Sequence, residues 1–313
     1  MFEIKKAVRK GAKTCISIAG ESGSGKTYSA IRLARGLVGH QGKIGVIDTE
    51  QRRASLYADC FGGFDVIDLE PPYSPARYRE AIKTFKEAGY DVVVIDSMSH
   101  EWEGEGGVIW MADNAKTSSG KPRLDMGKWA EPKAEHKLLM TYILNSGMHC
   151  VLCYRVKFPL LEVTNENGRK EYVRGEPTPV CEPNVDYDVT VKLYLDKETK
   201  HPTIQKCPEG IEYLFPANSY ITEQAGEGII SWLNSPQRDK DAIIAEGIKQ
   251  KDLRAWFMTL NPSECSLARK YAEEIKARSV AEPKPEVAPA PEAKVEEPVQ
   301  NNINNEFHDV EEL

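Results

Sequence analysis

The sequence predicts an α/β fold, a mostly parallel sheet with helices on both faces. Three observations predict it. A phosphate-loop pattern, Gly20-Glu21-Ser22-Gly23-Ser24-Gly25-Lys26-Thr27, sits between an apolar run and an amphipathic stretch. Strand-like and helix-like stretches alternate through the first two-thirds of the chain. The run at 91–96 (DVVVID) is apolar throughout before it ends in Asp, as in a strand buried on both faces.

Residues 14–19 (TCISIA) read as the first strand and residues 26–38 as the first helix. Between them, Gly20, Gly23 and Gly25 let the backbone turn so that successive N–H groups face phosphate oxygens. The helix N-terminus adds positive potential there. Lys26 reaches the β- and γ-phosphates, and the Thr27 hydroxyl is placed to hold Mg²⁺. The segment is therefore expected to bind a nucleoside triphosphate, with Glu21, Ser22 and Ser24 completing the loop.

A second strand at 43–48 (KIGVID) leads into Thr49-Glu50, and a third short strand at 64–69 ends at Pro71-Pro72. Ser74-Pro75 opens a helix to about residue 88, and the fourth strand is 91–96. Residues 97–130 read as loop-rich, 131–146 as a helix, 149–155 as a fifth strand and 157–184 as a second long loop. A hairpin-like pair, 185–195 and 203–206, closes a core domain over residues 1–220. Residues 221–280 read as a small helical region anchored by Trp232, Ile243, Ile244, Ile248, Trp256, Phe257 and Tyr271. Residues 281–313 are Pro-, Glu- and Asn-rich and are expected to be a disordered acidic tail, either solubilising or partner-recruiting.

The net charge of −7 resides in that tail, which carries nine acidic residues against Lys284 and Lys294; the other 280 residues balance to zero. Acidity therefore does not exclude nucleic acid, since a balanced core can carry a local basic groove. No apolar run is long enough to span a membrane and the basic N-terminus lacks a signal-peptide core, so a cytosolic location is expected. The seven cysteines lack disulfide or zinc spacing. Cys150 and Cys153 lie in one strand-like run, where an odd separation sends them to opposite faces.

Asp96 ends the fourth strand, where a carboxylate supports Mg²⁺ through its water shell. Glu50 follows the second strand, on the sheet edge where ligands bind, and can orient and deprotonate an attacking water. A plain surface Glu at a strand end is the alternative. The segments VIDTEQRRASLYADCFGGFD and DLEPPYSPARYREAI, with VVVIDSMS, resemble the RecA-type recombinase core. DSMSHEWEGEGGV further resembles bacteriophage RecA-like ATP-binding proteins of the single-strand annealing type. The resemblance spans about residues 12–215 and implies a RecA-like, Mg²⁺-dependent ATPase with ATP at the interface of a homo-oligomer. It makes Lys26, Thr27, Glu50 and Asp96 the hydrolytic set and Tyr57 the adenine stacker, although Tyr57 also suits a core position. It implies that Arg155 senses the γ-phosphate, in place of the family's amide. It also implies that Lys206 reaches a neighbouring subunit's ATP, an ordinary edge-strand Lys being the other reading.

The same resemblance turns both long loops toward single-stranded DNA. The first holds Lys116, Lys121, Arg123, Lys128 and Trp129; the second holds Arg155, Lys157, Arg169, Lys170 and Arg174 with Phe158 and Tyr172. Cations with interleaved aromatics suit phosphates and stacked bases. Glu162, Glu166 and Glu171 leave open a solvated mixed-charge loop, and Trp129 could pack on the next helix. The expected activity is DNA-stimulated ATP hydrolysis promoting annealing or strand exchange, with or without a separate single-strand-binding protein. A replication motor or loader, and a nucleotide switch or small-molecule kinase with no DNA role, are the alternatives.

Overall fold

The computed structural model describes residues 4, 7–164, 169–235, 240–250 and 252–281, without the side chains of Asp186, Lys276 and residues 278–281. The chain divides into two compact units, Met1–Ser235 and Pro236–Leu313.

In the first unit, β1 (Cys15–Gly20) passes through the phosphate loop into α1 (Lys26–Val38). Then come β2 (Ile44–Asp48), a 3-10 turn Ala54–Tyr57, β3 (Asp65–Asp68), α2 (Pro75–Glu87) and β4 (Val92–Asp96). Two short helices, α3 (Ser99–Glu103) and α4 (Val108–Asp113), and a 3-10 turn Met126–Trp129 precede α5 (Ala130–Leu144). β5 (His149–Lys157) is followed by β6 (Leu160–Thr164), β7 (Lys170–Arg174) and the short β8 (Thr178–Pro179). The unit ends with β9 (Val191–Leu195), β10 (Pro202–Lys206) and α6 (Glu223–Asn234).

The main sheet runs β10-β9-β1-β5-β4-β2-β3. All its neighbours on that path are parallel except β10, which runs antiparallel to β9; β8 pairs antiparallel with the end of β5. This is the expected fold class, with β5 between the phosphate-loop strand and the strand that ends in Asp96. Alternate residues of each strand feed two cores. Ile16, Ile18 and Cys153 face α1 and α6 with Ile31, Leu33, Ile229 and Leu233. Cys15, Ala19 and Cys150 face α2 and α5 with Tyr78, Ile82, Leu139 and Ile143. The two cysteines of the C-x-x-C run are thus split by the sheet. Burying each large aliphatic side chain contributes about 1.5–3 kcal/mol, so both faces must be covered for these strands to be stable.

α6 belongs to this unit rather than to the helical region after residue 220. It lies on α1 through two glycines. A Cβ on Gly36 would come within 1.9 Å of the Glu223 carbonyl oxygen, and one on Gly226 within 2.5 Å of the Leu33 carbonyl oxygen. Backbones approach that closely only where side chains are missing.

Three local expectations change. Residues 97–130 carry α3 and α4, because Trp102, Val108 and Val180 form a satellite core that Trp129 packs against. Residues 157–184 contain an antiparallel hairpin, β6–β7, with Leu160 opposite Arg174 and Thr164 opposite Lys170. Its turn, 165–168, lies outside the described residues. The strand expected from 185 begins at Val191; Val185–Tyr187 is a 3-10 turn, and Val191, Leu193 and Leu195 alternate into the core.

The second unit holds α7 (Lys240–Ile248), α8 (Leu253–Phe257), α9 (Pro262–Lys270) and α10 (Ala272–Ala281). Trp256 and Phe257 pack with Ile243, Ile244 and Ile275. Asn261 and Glu264 close a reciprocal capping box at the start of α9. The tail beyond Ala281 lies outside the described residues. No helix among the described residues is long and apolar enough to cross a membrane.

The glycine contact gives a direct check. Gly36→Ala is expected to lower unfolding free energy in urea by about 1–3 kcal/mol, as for an overpacked core. The exposed Gly39→Ala control reads only its own left-handed φ of 66°. An unchanged midpoint for Gly36→Ala would show that α6 is not held against α1.

Candidate nucleotide site

The parallel register brings the site to one sheet edge. Gly20 is level with Arg155 on one side and Leu195 on the other, and Asp48 is level with Asp96. Glu50, Asp96 and Arg155 therefore lie at the carboxyl ends of β2, β4 and β5, on the edge that holds the phosphate loop.

The loop needs two left-handed residues, and both are glycine: Gly23 at φ 80° and Gly25 at φ 87°. Lys26 Nζ donates to the carbonyl oxygens of Gly20 at 2.9 Å and Glu21 at 2.8 Å. Thr27 Oγ1 donates to Asp96 Oδ2 at 2.5 Å. Burial pushes the Asp96 carboxyl up to about 6, against the lowering effect of the Thr27 bond. A hydroxyl and a buried carboxylate in direct contact are hard oxygen donors of the kind Mg²⁺ selects. Ser24 Oγ, in the same loop, is buried without a hydrogen-bond partner. The residues present fit a metal–phosphate ligand.

Glu50 is placed by Asp48. Asp48 Oδ1 accepts from the Glu50 N–H at 2.6 Å and Oδ2 from the Ala54 N–H at 2.8 Å, which folds the chain around the carboxylate through left-handed Gln51 and Arg52. Thr49 is pinned on β4: its N–H donates to the Asp96 carbonyl oxygen, and its hydroxyl accepts from the Ser97 N–H at 2.8 Å. The hydroxyl also shares a hydrogen bond with His100 Nδ1, 2.6 Å away, and lies 3.3 Å from the Ser97 carbonyl oxygen. His100 stacks on Tyr73, 4.9 Å between centroids. Burial and then the Arg155 charge lower its pKa, which favours the neutral ring.

Arg155 clasps Glu50. Its Nε and Nη2 donate to the two carboxylate oxygens at 2.8 and 2.7 Å. Burial alone would raise the Glu50 carboxyl, but the Arg155 hydrogen bonds and charge outweigh it, and the group sits below the usual carboxylate range. The two residues line a cavity of about 620 Å³ with Lys26, Thr27 and Tyr57, within the range of small-molecule sites. Tyr57 is half-buried and meets Tyr28 edge to face at 5.6 Å. Its loop is stapled by Arg35, a buried guanidinium that donates to the carbonyls of Phe61, Gly39, Gly42 and Gly63 at 2.6–2.8 Å.

Lys206 is elsewhere. It sits level with Lys192 on β10, which runs away from the phosphate loop of its own chain. The lysines that reach this loop are Lys197 and Lys200, in the β9–β10 turn. The sequence reading missed them because only the pairing of β9 beside β1 brings that turn here. It also missed Asp48, the first residue of Asp48-Thr49-Glu50, and Arg35, whose pattern is that of an ordinary helix cation.

The two basic segments differ. In the first, Lys128 pairs with Asp113 at 2.8 Å and Arg123 with Asp125 at 3.0 Å, and Trp129 packs inward. In the second, Arg174 lies 3.3 Å over the Phe158 ring and 3.8 Å from Glu21, while Lys170 pairs with Glu162 at 2.7 Å. Tyr172 is 68% exposed. The Asn-Gly at 167–168 between β-branched runs is the signal that would have found this hairpin.

The model of the AAA domain family matches residues 12–209. The chain belongs to that family. It is a P-loop ATPase of the AAA kind. The signal recognition particle 54 kDa protein of Thermococcus kodakarensis is 34% identical over 110 residues, 33% of this chain and 25% of that protein. The chain thus matches about a quarter of that relative's length. The crystal structure of KaiC-like protein PH0186 from Pyrococcus horikoshii OT3 is similar over 64% of this chain and 81% of that one, at 15% identity and a TM-score of 0.37.

The Asp96 carboxyl gives a prediction with a definite sign. Its folded value, about 6, lies above the ordinary 3.8, so the folded state holds the extra proton between those values. Stability therefore falls as pH rises through that window, and the penalty is complete above it. Asp96→Asn is expected to raise the stability of the nucleotide-free ATPase at pH 8 by on the order of 1–3 kcal/mol. The gain should vanish near pH 4, and hydrolysis should be lost at either pH. A variant less stable than the parent at pH 8 would contradict this.

Proposed function

We propose that this ATPase binds single-stranded DNA and promotes annealing or strand exchange, as in bacteriophage RecA-like recombination, with ATP at a subunit interface. The observation that carries the reading is a link, through the chain and two ion pairs, between the phosphate-loop site and the hairpin. Arg155 holds Glu50 from β5, and the same strand runs on into β6–β7. Arg174 at the end of that hairpin returns to Glu21 of the phosphate loop. One face of the hairpin carries Lys170, Tyr172 and Arg174 together, the mixture of cation and aromatic that suits a phosphate backbone and stacked bases.

In the proposed cycle Lys26 leaves its two carbonyls for the β- and γ-phosphates. Thr27, and Asp96 through the ion's water shell, would hold Mg²⁺, which would supply charge neutralisation at the phosphate oxygens. The γ-phosphate draws Arg155 away, and Glu50 recovers the basicity that the pair suppresses. Glu50 then takes a proton from the water that attacks the γ-phosphorus, and the bond to ADP breaks. Tyr57 closes the base side of the cavity. Lys206, directed away from its own phosphate loop, serves the neighbouring subunit.

The test is hydrolysis with and without a single-stranded homopolymer at two salt concentrations. Stimulation that fades with salt is expected. Tyr172→Ala should weaken retention of the strand by about 1–3 kcal/mol and leave basal hydrolysis unchanged. Unstimulated hydrolysis, with no strand retained in the presence of a non-hydrolysable ATP analogue, would overturn the reading.

A further inference from the structure

We infer that Lys200 is a positioning residue for the phosphate loop of its own chain, holding the Gly23 peptide in the orientation that receives the nucleotide's phosphates. The inference rests on the nucleotide site described above and concerns a residue outside its predicted set.

Lys200 Nζ donates to the Gly23 carbonyl oxygen at 2.7 Å and also to the Lys197 carbonyl oxygen. Its side chain crosses the loop, with Cδ 4.0 Å from the place a Cβ on Gly25 would take. This placement is built into the turn. β9 ends at Leu195, level with Gly20, so the next residues must pass beside the phosphate loop. Asp196 Oδ1 accepts from the N–H groups of Glu198 and Thr199 and from the Thr199 hydroxyl, at 2.8–3.0 Å. The Asp196 N–H donates to the His201 carbonyl oxygen, closing the turn. Lys200 itself takes a left-handed backbone, φ 63°, uncommon for a residue with a long side chain. A turn this constrained lets one ammonium group tie the Lys197 carbonyl of the turn to the Gly23 carbonyl of the loop.

The chemistry follows from which carbonyls are held. A phosphate loop works when its N–H groups face inward and its carbonyls are turned out and satisfied. Three carbonyls of this loop are bound by cations: Gly20 and Glu21 by Lys26, and Gly23 by Lys200. Lys26 must leave to meet the phosphates, whereas Lys200 has no reason to move. It keeps the peptide after Gly23 oriented, and with it the Ser24 N–H, which donates to the Glu21 carbonyl oxygen at 3.1 Å before the nucleotide enters. Glu21, an acidic side chain beside a phosphate site, is offset by Lys197 and Arg174, each at 3.8 Å. Because Lys200 acts on the loop rather than on the γ-phosphate, ADP and ATP should benefit alike.

The experiment is titration of the full chain with fluorescent ADP and with a non-hydrolysable ATP analogue, alongside steady-state kinetics and thermal melting without nucleotide. Lys200→Met should weaken both ligands about tenfold and raise the KM for ATP in parallel, with kcat within about twofold. Lys200→Arg, which keeps a donor, should recover most of the affinity. Lys200→Gly removes the ammonium while relieving the left-handed backbone. It should bind as weakly as Lys200→Met without loss of Tm, which separates positioning from misfolding. Unchanged affinities in Lys200→Met and Lys200→Gly would overturn the inference. So would a loss confined to the ATP analogue, which would place Lys200 on a γ-phosphate. If the unmutated chain binds neither nucleotide, the nucleotide site itself fails instead.

Discussion

The Glu50–Arg155 pair is the interaction on which the site depends. It joins the end of β2 to the end of β5 across β4 and sits over the phosphate loop. It leaves neither carboxylate oxygen of Glu50 without a guanidinium donor. A carboxylate held this way is a weak base, because the hydrogen bonds that satisfy it also stabilise its charged form. The nucleotide-free molecule therefore carries its proposed base in an idle state. In the proposed cycle an anion that competes for the guanidinium releases it.

The neighbouring groups make that arrangement rigid. Asp48 uses both oxygens to fold the turn that carries Glu50. Thr49 and His100 fix the backbone just before it, and Ser99 Oγ accepts from the Arg155 N–H at 2.9 Å. Asp96 lies on the other side, buried with a raised pKa. Such a carboxylate weakens the nucleotide-free fold in return for a ready oxygen donor, a common cost at functional sites. The hairpin begins where β5 leaves this network, so displacement of Arg155 acts on the strand that leads into β6.

Much of this was legible in the sequence. Gly20 to Thr27, Glu50 and Asp96 announced themselves because a phosphate loop and two strand-end carboxylates are local patterns. The mostly parallel sheet followed from alternating strand and helix signals, and the split of Cys150 and Cys153 from an odd separation. What escaped depends on pairing between distant segments. Lys200 became visible only once β9 was seen to lie against β1. Gly226 looked like any helix glycine until α6 was found against Gly36. Trp129 and Tyr172 had equal aromatic weight in the sequence; one packs inward and the other is exposed because of neighbours far along the chain.

The central claim is that a γ-phosphate separates Arg155 from Glu50. The most direct measurement is the pKa of the Glu50 carboxyl by carbon-13 NMR, assigned through its loss in Glu50→Gln. It would be followed in the nucleotide-free protein, with ADP, and with a non-hydrolysable ATP analogue. A value below the usual carboxylate range without nucleotide and with ADP, rising clearly with the analogue, is the predicted result. A value that stays depressed with the analogue bound would mean that the pair survives nucleotide binding and that Glu50 is not released to act as the base.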